Sequence, residues 1–221
     1  MGAWEKALEL LDKTDFTPCE GGEHAVAEQY MFARFALGFR ELKAGSIQTA
    51  LDHFRAAQAL PDHLGAGLWN EVLLVPHRYY EAVCLALLSR QAEAEEICRW
   101  ILSFRQDYFT NMHLPELPCW QALAWRLLNR EAPAQELTAA HLRAQEAAEA
   151  AVDPGYYGTT PFFISYMEDP AAQRQAAVSW QRAMAHFAAG DAKSARAYAA
   201  KAADGRPEHL YAGLMADGRW I

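Results

Sequence analysis

Met31–Pro61, MFARFALGFRELKAGSIQTALDHFRAAQALP, carries two apolar stripes of helical spacing on either side of a glycine. Phe32, Phe35, Leu37 and Phe39 form the first, Ile47, Ala50, Leu51 and Phe54 the second, and Gly45 separates them. The stretch therefore predicts a helix–turn–helix. Its small residues have a packing role, because Gly38 on the first helix and Ala50 on the second let the two axes approach to about 8–10 Å.

Working outward, the same arrangement recurs. HRYYEAVCLALLSR and QAEAEEICRWILSF flank a turn at 89–91, with Ala82 in the place of Gly38 and Ala94 in the place of Ala50. CWQALAWRLLNR and APAQELTAAHLRAQEAAEAA follow with Ala122 and Ala134, and Pro133 suits a first helical turn. The last pair, AAVSWQRAMAHFAAG and DAKSARAYAAKAADGRP, supplies Ala183 and Ala195 around Gly190. The expected fold is all-α, a single domain over 1–221 with repeats at about 24–60, 76–105, 118–151 and 170–206. Residues 3–13 form an amphipathic helix that reads as the second half of a repeat, as expected of an excised fragment or an unusual cap.

The second-helix alanines, Ala50, Ala94, Ala134 and Ala195, are 44, 40 and 61 residues apart. A plain helical-hairpin repeat of this kind needs only about 34 residues. Turns inside the pairs are short, so the excess falls in the connections 14–23, 61–76, 104–118 and 152–170, which stacking would place along one edge. Those connections concentrate aromatic, charged and amide residues. Glu20, Glu23, His63, Trp69, Asn70, Glu71, His77, Asp107, Tyr108, Tyr156 and Tyr157 are the candidate ligand or partner residues. Phe16 and Phe109 lie on the same edge, and Phe162, Phe163 and Leu114 suit loop anchors packed on helix ends. His63, His77, His113 and Asp107 share the edge, but no H-x-x-x-H or H-E-x-x-H spacing singles them out as a metal or acid–base site. Glu20-Gly21-Gly22-Glu23 reads first as a tight turn before a helix.

Composition narrows the function classes. The net charge of −8, with 20 scattered basic residues, argues against nucleic acid, and no apolar run reaches the roughly 18 residues of a membrane span. The N-terminus lacks a basic region leading into an apolar one, so a cytoplasmic location is expected. Cys19, Cys84, Cys98 and Cys119 form no C-x-x-C pair and read as free, small hydrophobes. No catalytic motif, metal site or cofactor fingerprint is present, and no cofactor is expected.

Leu37-Gly38, Ala50, Phe54 and Pro61 fall on the tetratricopeptide pattern, with Arg34 and Glu41 where its two aromatics would stand. The chain thus resembles the tetratricopeptide-repeat superfamily, which implies a right-handed solenoid of helical hairpins with long loops between repeats. The fragments FTPCEGGEH, ALPDHLGAGLWNE, DYFTNMHLPELP and FFISYMEDPAAQRQ resemble the C-terminal repeat region of large bacterial proteins whose N-terminal domain is galactose-mutarotase-like. That resemblance implies a non-enzymatic scaffold for a protein partner or a mutarotase-like domain. It also admits an accessory carbohydrate-recognition region in which Trp69, Tyr108 and Tyr157 stack on sugar rings while Glu71 and Asp107 hold hydroxyls. Apolar residues near the end, Leu210, Tyr211, Leu214, Trp220 and Ile221, add an expectation of self-association through exposed repeat faces.

Overall fold

A computed structural model describes residues 3–17, 24–68, 70–151 and 170–220. Among these the secondary structure is entirely helical, with α1 (Trp4–Lys13), α2 (Ala25–Lys43), α3 (Ile47–Ala56), α4 (Val75–Leu87), α5 (Gln91–Ser103), α6 (Tyr108–His113), α7 (Leu117–Leu127), α8 (Glu131–Ala150), α9 (Pro170–Ala188), α10 (Ala192–Gly205) and α11 (Leu210–Ala216). Short 3-10 turns occupy Asp62–Leu64 and Glu71–Leu74. The chain divides into two compact units, Met1–Ala134 and Gln135–Ile221.

Each long helix pair is joined by three residues, and the middle one is left-handed every time: Gly45 (φ 81°), Ser89 (61°), Asn129 (58°) and Gly190 (82°). The same two backbone bonds close each turn. Ser46 N–H reaches Glu41 O at 2.9 Å and Gly45 N–H reaches Leu42 O at 3.1 Å; Arg90 and Ser89, Arg130 and Asn129, and Asp191 and Gly190 repeat the pattern at 2.8–3.0 Å. These are Schellman ends, which satisfy the last helical carbonyls and turn the chain sharply. One turn geometry is therefore used four times.

In the first unit the elements pack in succession: α1 on α2, α2 on α3, α3 on α4, α4 on α5, and α7 on both α4 and α5. The close approach expected at Gly38 is present, since a Cβ there would stand 3.0 Å from the Phe54 ring. Ala50, Ala82, Ala94, Ala122 and Ala134 are at most 1% exposed. An aromatic chain runs between the helices. Phe35 meets Phe54 at 5.9 Å and Tyr80 at 5.4 Å, and Tyr80 meets Trp120 at 6.3 Å. Under α1, Leu8 and Leu11 pack with Tyr30, Ala33, Leu37 and Leu64. Cys84, Cys98 and Cys119 are buried free thiols, and burial raises the pKa of each.

A charged lock joins α3 to α4. Glu81, only 5% exposed, accepts from Arg55 Nε at 2.8 Å and from Gln58 Nε2 at 2.7 Å. The carboxylate lies within the apolar run YYEAVCLALL, where periodicity alone assigns it no partner.

In the second unit α9 and α10 form a hairpin along a seam of small residues, with Ala183, Ala195 and Ala199 fully buried. A Cβ on Gly205 would meet that of Ala176 at 2.9 Å. His141 and Gln181, both buried, share a 3.0 Å hydrogen bond between α8 and α9. The C-terminal tail adds α11, which the repeat spacing does not predict. His209 caps it, accepting from Ala212 N–H through Nδ1 at 3.2 Å. Leu214 and Trp220 are buried in this unit, Trp220 against Trp180 (5.9 Å), Phe187 (5.6 Å) and Tyr211 (6.0 Å). The apolar tail is thus largely covered by the chain itself.

Candidate interaction edge

Three of the four connections have described residues, and neighbouring ones are tied together in the first unit. Phe16 N–H donates to His63 O at 2.8 Å, and His63 Nε2–H donates to Leu11 O at 3.0 Å, which joins the first connection to the second. The helix α6, absent from the sequence expectation for 104–118, packs against the 3-10 turn Glu71–Leu74 and joins the third. The second and third are pinned by buried apolar anchors, Leu64 and Val72 in one and Leu114 in the other, and Phe16 of the first packs, partly buried, against the cluster that holds Leu64. Gln121 Nε2 donates to Phe104 O at 2.9 Å and fixes where the third connection leaves α5.

The polar residues on these connections are partly engaged in the local fold. Asn70 Oδ1 accepts from Val72 N–H at 3.0 Å and starts the 3-10 turn. Asp107 Oδ1 accepts from Thr110 N–H at 2.8 Å and starts α6, and that hydrogen bond holds its carboxyl below the usual range. Glu71 is exposed. His63 is half-buried, its Nε2 bound to the Leu11 carbonyl.

His77 lies in the core. It is 1% exposed, its Nε2–H points to Met31 O at 3.2 Å, and its ring stands edge-on to Phe35 at 5.5 Å. Burial lowers its pKa to about 4, so the ring is neutral near pH 7. Glu20, Glu23, Trp69, Tyr156 and Tyr157 lie outside the described residues.

What the edge presents outward is aromatic. Tyr108 is 75% exposed, Phe109 66% and Met112 52%, while Thr110 and Leu114 face inward. The Tyr108 and Phe109 rings meet edge to face at 5.6 Å. Met112 lies four residues from Tyr108 and three from Phe109, the spacings at which helix side chains are neighbours, so the three form one apolar patch. Phe109, one of the aromatic residues on the edge in the sequence, is solvent-facing. Met112 carries a usable signal, its spacing of four from Tyr108, but that signal requires α6 to be recognised first. On the second connection a depression of about 400 Å³ is lined by Gln58, Leu60, Asp62, Ala66, Gly67 and Leu68.

Among the described residues no group of three or more His, Cys, Asp or Glu side chains could hold a metal ion, and no helix is long and apolar enough to cross a membrane. No protein-family model matches the chain, and no solved structure matches it.

Proposed function

We propose that the chain is a non-enzymatic interaction module of tetratricopeptide-like type, a right-handed stack of helical hairpins whose connection edge binds a protein. The exposed Tyr108–Phe109–Met112 patch carries this reading. Three large apolar side chains on one helix face, held on pinned connections, are the kind of surface that marks a partner site. The core side chains support it as well, since the buried histidine and thiols are engaged in packing. A mutarotase-like domain, implied by the resemblance of the loop fragments, is the first partner to test.

Carbohydrate recognition by the same edge is the second reading. It is favoured by the open face of Tyr108, an aromatic ring available for stacking on a sugar beside the Asp107 carboxylate. The two readings separate in one experiment. Wild type and a Tyr108→Ser, Phe109→Ser double variant are titrated with a purified mutarotase-like domain and, separately, with monosaccharides and oligosaccharides, while melting is followed. A protein complex lost in the variant supports the module. A sugar at 100 times its Kd adds about 2.7 kcal/mol, a rise of several degrees. If that rise occurs in the wild type and not in the variant, carbohydrate recognition replaces the scaffold reading.

A further inference from the structure

The depression on the second connection carries two side-chain acceptors, on Gln58 and Asp62, without a bonded donor among the described residues. Gln58 contributes an amide whose orientation is set from behind, because its Nε2 donates to Glu81 Oε2 at 2.7 Å and to Phe54 O at 3.1 Å. Both of those partners only accept, so the reversed amide would set oxygen against oxygen. Oε1 therefore remains on the side away from Glu81, and it has no hydrogen-bond partner among the described residues. Asp62 adds an exposed carboxylate that makes no ion pair or hydrogen bond with any described residue. Leu60, Ala66 and Leu68 supply apolar wall, and among the described residues no basic side chain lines the space. The nearby Arg55 and His63 are already engaged, Arg55 with Glu81 at 2.8 Å and His63 with the Leu11 carbonyl.

The geometry points to a binding site for an organic cation, an alkylammonium or alkylguanidinium group whose N–H donors reach Gln58 Oε1 and the Asp62 carboxylate while its alkyl part lies on Leu60 and Leu68. The volume, about 400 Å³, is ample for a group of lysine or arginine size. An anion is repelled by the Asp62 carboxylate, and a neutral alcohol leaves that carboxylate uncompensated. The same group occurs in a free amine and in a basic side chain of a polypeptide. The site is distinct from the Tyr108 patch, and its failure would leave the docking role of that patch untouched.

The test is an NMR titration of the 15N-labelled chain with n-butylammonium chloride at constant ionic strength, with n-butanol and sodium butyrate in parallel. Saturable shifts at the Gly65, Gly67 and Leu68 amides are expected with butylammonium alone, at concentrations on the order of 100 mM or below for so small a probe. Asp62→Asn should raise the Kd about fivefold, the most that a single exposed charge pair normally gives. This variant should fold normally, because the exposed Asp62 side chain has no hydrogen bond or ion pair with a described residue to lose. An unchanged Kd in Asp62→Asn would mean diffuse attraction to a chain of charge −8 and would overturn the site. Equal responses to butanol or butyrate, or no saturation, would overturn it too. A final arm uses acetyl-Gly-Lys-Gly-amide: tighter binding than butylammonium assigns the site to a peptide-borne side chain, and equal or weaker binding assigns it to a free amine.

Discussion

Ser89 and Asn129 occupy the left-handed positions that glycine holds in the other two long hairpins. A Cβ costs roughly 1–2 kcal/mol in that conformation, and asparagine tolerates it better than serine. Ser89→Gly should therefore stabilise the chain by about 0.5–1 kcal/mol after the added freedom of the unfolded glycine is deducted, with a smaller gain for Asn129→Gly. The reverse change at Gly190 isolates the backbone effect, because a Cβ there would meet nothing within 4 Å. Gly190→Ala should cost about 1 kcal/mol, and urea melts of the three variants would check the order. A destabilised Ser89→Gly would mean that its hydroxyl, not its φ, matters. This recurrent turn is only half legible in the sequence. Gly45 and Gly190 announce it, whereas serine and asparagine are too common elsewhere to reveal the other two copies.

At the scale of elements, the small residues aligned on Gly38 and Ala50 are the part of the fold most readable without coordinates. Helix axes cannot approach over a large side chain, so the constraint appears directly as residue size. Ala82 and Ala183 are fully buried, and changing either to leucine should overpack its hairpin and cost about 1–3 kcal/mol. Unchanged melting in either variant would contradict the packing described for it. The Glu81 lock makes a different prediction. Glu81→Ala leaves Arg55 able to rehydrate, since 42% of its side chain is exposed, and Gln58 with one lost acceptor. The expected loss is about 1–2 kcal/mol, below the 3–5 kcal/mol of a fully buried broken pair. Equal stability for Glu81→Ala and wild type would show the lock to be neutral. α6 and α11 escaped the sequence reading for a physical reason. Each has only two turns or fewer, too short for an apolar period to register, and each is started by a side-chain cap, Asp107 or His209, whose role shows only in hydrogen bonding. The exposed aromatic patch depends on α6, so it stayed hidden with that helix, although Tyr108 could be singled out as an aromatic on the edge.

For the molecule as a whole, the buried histidines give stability a definite pH dependence. His77 and His209 have pKa values lowered to about 4, and those of His53 and His141 are lowered as well, in each case chiefly by burial. An unfolded histidine titrates near 6.5, so between pH 6.5 and 4 the unfolded chain binds more protons than the folded one. Stability is therefore fully present above pH 6.5 and declines as pH falls through this window. His77 alone accounts for about 3 kcal/mol of the decline, its pKa lying near 4 when folded and near 6.5 when unfolded, at about 1.36 kcal/mol per pH unit between them. His209 adds a local consequence, because its Nδ1 caps α11 only while unprotonated. Carboxylates held low by their partners, such as Glu5 beside Arg40, push in the same direction but titrate below most of the window. Urea midpoints measured from pH 7.5 to 4.5 should fall steeply below 6.5 in the wild type. In His77→Phe, which keeps a ring in the cavity and removes the titration, the fall should be shallower even if the variant starts less stable at pH 7.5. Parallel curves for the two chains would mean that His77 becomes protonated without unfolding its surroundings.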